Sequence, residues 1–204
     1  MKNYDVKQAL QIILQSATDY NDKLNNKDFL IIYKEKNEIK TCNVRFRDFN
    51  FLHLTGVKTN LKAKQFYSAC LSKKLSLRDI KIDKKGKVQQ KLAVLPYLAD
   101  MLYNSCMIGD FINSGISTKA DYFVGNTKAI LSVGFRYNKV ADIPVTLYCE
   151  NVKKLVKPTC KVLAIFNKKY NNLKYEECTY LAKDCKVNNF ESNIKQQLEE
   201  NLYK

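Results

Sequence analysis

The chain has 204 residues, of which 46% are hydrophobic and 11% aromatic, with six Gly and three Pro. That is enough to bury one sizeable core, and it excludes a disordered or collagen-like polymer. Lys and Arg number 35 against 20 Asp and Glu, a formal net charge of +15 that exceeds what solubility requires and points to a polyanionic partner.

Apolar residues Val6, Leu10, Ile13, Leu14, Ala17 and Leu24 recur at helical spacing, so residues 4–24 read as an amphipathic helix. Asn25 to Asp28 break it. Phe29 to Tyr33 and Ile39 to Phe46 read as two strands joined by a turn over Glu35 to Glu38. Phe49 to Gly56 reads as a third strand whose alternation puts Phe51, His53 and Thr55 on one face and Leu52 and Leu54 on the other. Thr59 or Asn60 then caps a helix over residues 61–71, and a short helix follows near Ser76 to Ile80. After a charged turn over Asp83 to Lys87, residues 88–106 look helical, with Pro96 as the place for a kink. From Met107 the character turns to β: 107–112, 122–125, 129–136, 145–149 and 160–166, with Phe190 to Tyr203 as a polar closing helix. The fold class is therefore α+β, helices first and then a mainly antiparallel sheet, in a single domain over residues 1–204.

The charge excess is mostly lysine, in part the drift expected of an A/T-rich genome. Lysine suits non-specific phosphate attraction, whereas the scarce arginines Arg45, Arg47, Arg78 and Arg136 can fork onto a phosphate. Residues 151–186 hold nine lysines against three acidic residues and form the best candidate for a basic surface. Seven scattered cysteines without a Cys-x-x-Cys read as free thiols of a reducing compartment. Charges interrupt every apolar stretch before membrane-spanning length, so the expected setting is the cytoplasm, with no membrane partner. The lone histidine has no partner for a metal site, and no phosphate-binding loop, dinucleotide glycine pattern or Gly-x-Ser-x-Gly occurs; neither metal nor cofactor is expected.

The strongest local signal is Phe51-Leu52-His53-Leu54-Thr55-Gly56. It supplies a titratable imidazole, a hydroxyl and a glycine that lets a ligand approach the backbone, ahead of a helix start: parts that handle a phosphate. The competing reading is a core histidine bonded to a carbonyl, with Thr55 as an ordinary strand residue. Arg136 falls on the polar face of its strand, either as an active-site cation or as a solvated strand end. Thr146 is either a substrate contact or simply a good strand residue.

The same run, with Phe66-Tyr67, Leu75 to Ile80, Lys91-Leu92, Asp121 to Gly125, Gly134-Phe135 and Pro144 to Leu147, resembles a phage and prophage family assigned to the Barnase-EndoU-colicin-RelE superfamily of small ribonucleases. The resemblance spans residues 48–170, leaving 1–26 as an N-terminal helix and 188–204 as a C-terminal helix or tail. It implies helices packed on a curled sheet, RNA as partner and metal-independent cleavage by 2′-hydroxyl attack to a 2′,3′-cyclic phosphate. One histidine cannot be both base and acid from fixed positions, so a second group must serve: Tyr67, Lys91, Tyr122 or Tyr148. On this reading His53, Thr55, Arg136 and Lys91 are the catalytic set, and Gly56, Tyr67 and Thr146 bind substrate. The alternative is a non-catalytic phage protein that uses the same basic surface to block a host defence complex or its RNA.

Overall fold

A computed structural model describes residues 3–83, 86–112, 118–126 and 130–203. Lys84 and Lys85 of the expected charged turn, and the first residue of the expected strand at Ala129, lie outside the described residues.

The helix α1 spans Val6–Lys23. It starts where the Asp5 carboxylate accepts from the Gln8 amide at 2.8 Å and the Gln8 side chain accepts from the Asp5 amide at 3.1 Å, a capping box. Strands β1 (Lys27–Glu35) and β2 (Glu38–Phe46) form the expected hairpin. Four strands follow the helical section, β3 (Met107–Asp110), β4 (Tyr122–Asn126), β5 (Leu131–Arg136) and β6 (Ile143–Tyr148), and then β7 (Cys160–Lys169) and β8 (Glu177–Leu181). The sheet runs in the order β2-β1-β7-β3-β4-β5-β6, antiparallel at each of these pairings, with β8 also on β7.

The sheet curls until its two ends meet at a parallel bridge between Val44 and Asp142. The Arg45 amide donates to the Asp142 carbonyl at 2.8 Å, and the Asp142 amide donates to the Asn43 carbonyl at 2.7 Å. The Asp142 carboxylate, 8% exposed, also accepts from the Tyr122 hydroxyl at 2.9 Å and from the Asn138 amide at 3.0 Å. Inside the curl, the Phe46 ring lies 6.0 Å from Tyr20 of α1, 5.9 Å from Phe29 of β1 and 5.9 Å from Phe135 of β5, each edge to face. One buried ring therefore touches the helix and both ends of the sheet.

Three short helices sit beside the curl: α2 (Phe51–Thr55), α3 (Ala63–Leu71) and α4 (Lys87–Val94). The first corrects the expected strand over Phe49 to Gly56. Phe51, Leu54 and Thr55 are the buried positions, a spacing of three and four, whereas strand alternation would have buried every second residue. Over six residues the two periods cannot be told apart from apolar content alone. The local backbone chemistry settles it: Asn50 accepts from the Arg47 amide at 2.9 Å, and Gly56 ends the helix in the left-handed region at φ +73° with its amide on the Leu52 carbonyl. The expected helix over residues 88–106 is likewise broken. It ends at Val94, and 3-10 turns over Leu95–Tyr97 and Met101–Tyr103 replace its remainder, with Pro96 lacking the amide a continuing helix would need. Ser76 to Ile80 is a turn in which the Asp79 carboxylate accepts from the Ser76 amide and hydroxyl, both at 2.7 Å.

The closing helix shrinks to one turn, α5 (Ser192–Lys195), and a 3-10 turn over Glu200–Leu202. Phe190, Ile194 and Leu198 pack on Leu30, Ile32 and Phe166, covering the outer face of β1 and β7. Among the described residues no helix is long and apolar enough to cross a membrane. All seven cysteines are free thiols, and burial pushes Cys42, Cys70 and Cys106 up to about 12.

Asp142 holds the seam by its backbone and by its carboxylate. Asp142→Ala removes two acceptors from a buried site and is expected to cost about 2–3 kcal/mol, a fall of roughly 5–10 °C in Tm. Asp142→Asn keeps one acceptor for the Asn138 amide and should cost less. Thermal denaturation of both variants followed by circular dichroism checks the order; an unchanged Tm in both would show that the backbone bridge alone carries the closure.

Candidate active site

Beyond the Val44 and Asp142 bridge, the edge of β6 that is not paired with β5 is flanked by α2 and α4 rather than by a strand. The gap between them is a cleft of about 730 Å³. One wall is α2 and its approach, with Phe49, Asn50, His53 and Gly56; the second is α4, with Lys87, Val88 and Lys91. The floor is β6 from Ile143 to Thr146 with Tyr148, and Thr118 and Lys119 close the rim.

Of the residues expected from the sequence, His53, Gly56, Lys91 and Thr146 meet in this cleft. His53 is exposed, on the outward side of α2. The Lys91 ammonium donates to the His53 carbonyl at 2.8 Å, and its aliphatic stem crosses Gly56, where a Cβ would stand 2.7 Å from Lys91 Cδ. Gly56 thus serves twice, taking a backbone conformation that side chains disfavour and leaving room for the lysine stem. Burial of the half-covered ammonium, reinforced by the neighbouring Lys87 charge, lowers the Lys91 pKa to about 8.

The other expected residues lie elsewhere. Thr55 is fully buried; its hydroxyl donates to the Leu52 carbonyl at 2.8 Å and accepts from the Val57 amide at 3.3 Å. On a helix it faces away from His53, so the shared face expected from strand alternation is corrected. Tyr67 stands behind the cleft, its ring 5.5 Å from Phe51 and 5.7 Å from Tyr20, and its hydroxyl donates to Asn21 at 3.2 Å. It supports α2 from the core side, and burial pushes its phenol well up. Arg136 borders the rim: it is the register partner of Ile143, and its Nε donates to the Lys119 carbonyl at 3.1 Å. Tyr122 is held on Asp142 inside the curl, and burial raises its phenol far above the usual range, whereas Tyr148 lines the cleft.

Sequence reasoning missed Phe49 and Lys119, and it places Lys87 in a charged turn that could track a nucleic-acid backbone rather than at the start of α4. Lys87 was within reach, since it lies four residues before Lys91 and so shares its helical face. Lys119 reaches the rim only through the fold. The cleft lining therefore offers one imidazole and three ammonium groups, with no carboxylate among the described residues. Among the described residues no group of three or more His, Cys, Asp or Glu is placed to hold a metal ion. Such a lining can bind a phosphodiester and move protons at its oxygens.

A comparison with protein families finds that the family model described as phage-Barnase-EndoU-ColicinE5/D-RelE like nuclease4 matches residues 12–184. The match extends past both ends of the stretch that the motifs suggest. Searches of curated proteins and of solved structures found no match. The matched residues hold most of α1, the whole curled sheet and both walls of the cleft, and the chain belongs to this phage-Barnase-EndoU-ColicinE5/D-RelE like nuclease family.

Proposed function

We propose that the cleft cleaves RNA without a metal, by attack of a ribose 2′-hydroxyl on the adjacent phosphorus. The 2′ oxygen bonds to phosphorus as the bond to the 5′ oxygen breaks, leaving a 2′,3′-cyclic phosphate and a 5′-hydroxyl. The base takes the 2′-hydroxyl proton, and the acid gives a proton to the departing 5′ oxygen. The observation that carries this reading is the pairing of His53 with a Lys91 whose affinity for its proton has been lowered into the working range. An ordinary lysine holds its proton too tightly to be an efficient acid near neutrality; one with a value near 8 is well matched. His53 then acts as base and Lys91 as acid. Lys87 and Lys119 stand on the same cleft to offset charge developing on the phosphorane. Arg136 adds a cation at the rim, and Thr146 contacts the substrate from the floor.

The proposal predicts that His53→Ala and Lys91→Met each lower the cleavage rate by roughly 10²-fold or more, with Tm nearly unchanged. His53 is exposed. Lys91 is held partly desolvated, so an uncharged side chain of similar length relieves an unfavourable term at neutral pH. Cleavage of a short RNA, with product ends read by mass spectrometry in the presence of chelator, checks both; loss of wild-type cleavage in chelator, restored by divalent ions, would overturn the mechanism.

The pH profile carries a second prediction with a definite sign. If Lys91 gives a proton, kcat/KM falls as pH rises through about 8, because the ammonium form is lost. A rate that climbs through the same range would make Lys91 the base. In Lys91→Met this limb should vanish from whatever activity remains.

A further inference from the structure

Outside the cleft, three side chains from two separate parts of the chain form an arrangement to which the catalytic reading gives no role. The guanidinium of Arg45 stands 4.4 Å from the centre of the Tyr170 ring, and that of Arg47 stands 4.2 Å from the same centre. Each is at stacking distance. The two cations are not equivalent. Arg45 is bound through both faces of its fork to Asp28, Nε to Oδ1 at 2.6 Å and Nη2 to Oδ2 at 2.7 Å, and Asp28 is only 4% exposed. The Nε and Nη2 side of the Arg45 guanidinium is therefore committed to Asp28. Among the described residues no carboxylate stands within ion-pair distance of Arg47, whose fork is held in place by Tyr170 and left without an anion.

The charge around it is unbalanced. Asp28 is the register partner of Arg45 on one side and of Lys168 on the other, so two cationic residues flank one carboxylate in the ladder, and Arg47 follows Arg45 by two residues. The Lys168 ammonium lies 5.0 Å over the Tyr175 ring and donates to the Leu173 carbonyl at 3.0 Å. A rigid planar donor beside a surplus of positive charge is the geometry that a phosphate oxygen pair fits. Its position relative to the cleft is set by the chain. Arg47 lies two residues before Phe49, which lines the cleft and is 38% exposed, and the Arg45 amide bonds to Asp142, next to the cleft residue Ile143.

We propose that Arg47, stacked on Tyr170, binds a phosphate of the RNA strand outside the linkage that is cut, so that the substrate runs from the cleft past Phe49 onto this stack. The inference rests on the reading of the cleft as an RNA-cleaving site and assigns it a longer substrate than the scissile dinucleotide. Tyr170 and Arg45 are positioning residues: the ring fixes the plane of the Arg47 fork, and the Arg45 pair with Asp28 fixes one neighbour of the ring.

The test uses a fluorescent RNA twelve-mer carrying 2′-O-methyl groups, which the proposed chemistry cannot cut, titrated with the full-length protein across a salt series. Arg47→Gln should raise Kd roughly tenfold and reduce the slope of log K against log salt by about 0.7, the share of one single-strand phosphate. Tyr170→Leu should weaken binding less, and Arg47→Lys should restore the salt slope more than the affinity. In cleavage assays Arg47→Gln should lower kcat/KM for an unmodified twelve-mer through KM and leave cleavage of a dinucleotide unchanged. An unaltered Kd and salt slope in Arg47→Gln, in a protein that cleaves RNA, overturns this subsite alone. A wild-type protein that binds the twelve-mer in the Arg47-dependent way and cleaves none overturns the catalytic reading and leaves the subsite standing. Failure of the wild-type protein to bind RNA overturns the subsite.

Discussion

Everything that can be said about the cleft follows from how the curled sheet closes. Strand β2 meets the start of β6 at one bridged position and two backbone hydrogen bonds, and Phe46 plugs the interior at that point, between α1, β1 and β5. A full ladder between β2 and β6 would give a sealed barrel and no cleft. Here the chain leaves β2 after Phe46, turns through Asp48–Asn50 and enters α2. The helix takes the place that further strand pairing would have filled, and the opening between it and β6 is the cleft that His53, Lys91 and Thr146 line.

The aromatic interior makes this arrangement stiff. Tyr20 joins α1 to the turn by donating to the Arg47 carbonyl at 2.8 Å, while its ring packs against Phe46, Phe51 and Tyr67. The wall that carries His53 is therefore fixed through Phe51 to the same cluster that closes the sheet. Burial without polar mismatch is what makes such a junction firm: the rings fill volume, and the two hydroxyls, of Tyr20 and Tyr67, each have an acceptor.

Much of this was legible in the sequence, and the exceptions have physical reasons. The amphipathic rhythm of α1, the hairpin turn at Lys36 and Asn37 and the position of β5 are long or sharply punctuated signals, and each is where expected, although β5 is buried on both faces from Leu131 to Phe135. The run from Phe51 to Gly56 is chemically distinctive, but six residues carry too few apolar positions to separate a period of 2 from 3.6. A strand period puts Thr55 on the face of His53, whereas on the helix its hydroxyl completes the end of α2. Strand β8, and the docking of the closing segment over Leu30 and Phe166, are invisible for a different reason. Their apolar anchors, such as Tyr175, Phe190 and Leu198, are widely spaced among polar residues and gain meaning only against a sheet face already built. The meeting of His53 with Lys91, 38 residues apart, and of Arg47 with Tyr170 is likewise a product of topology.

The bond from the Lys91 ammonium to the His53 carbonyl has a further consequence for motion. The lysine belongs to α4 and the histidine to α2, two separate walls, yet the cationic end of one is moored to the main chain of the other across Gly56. While this bond holds, α4 cannot shift against α2 without carrying the ammonium and the His53 main chain together, so the two walls are braced against each other rather than only against β6. A site built this way can be loose toward its substrate and tight within itself.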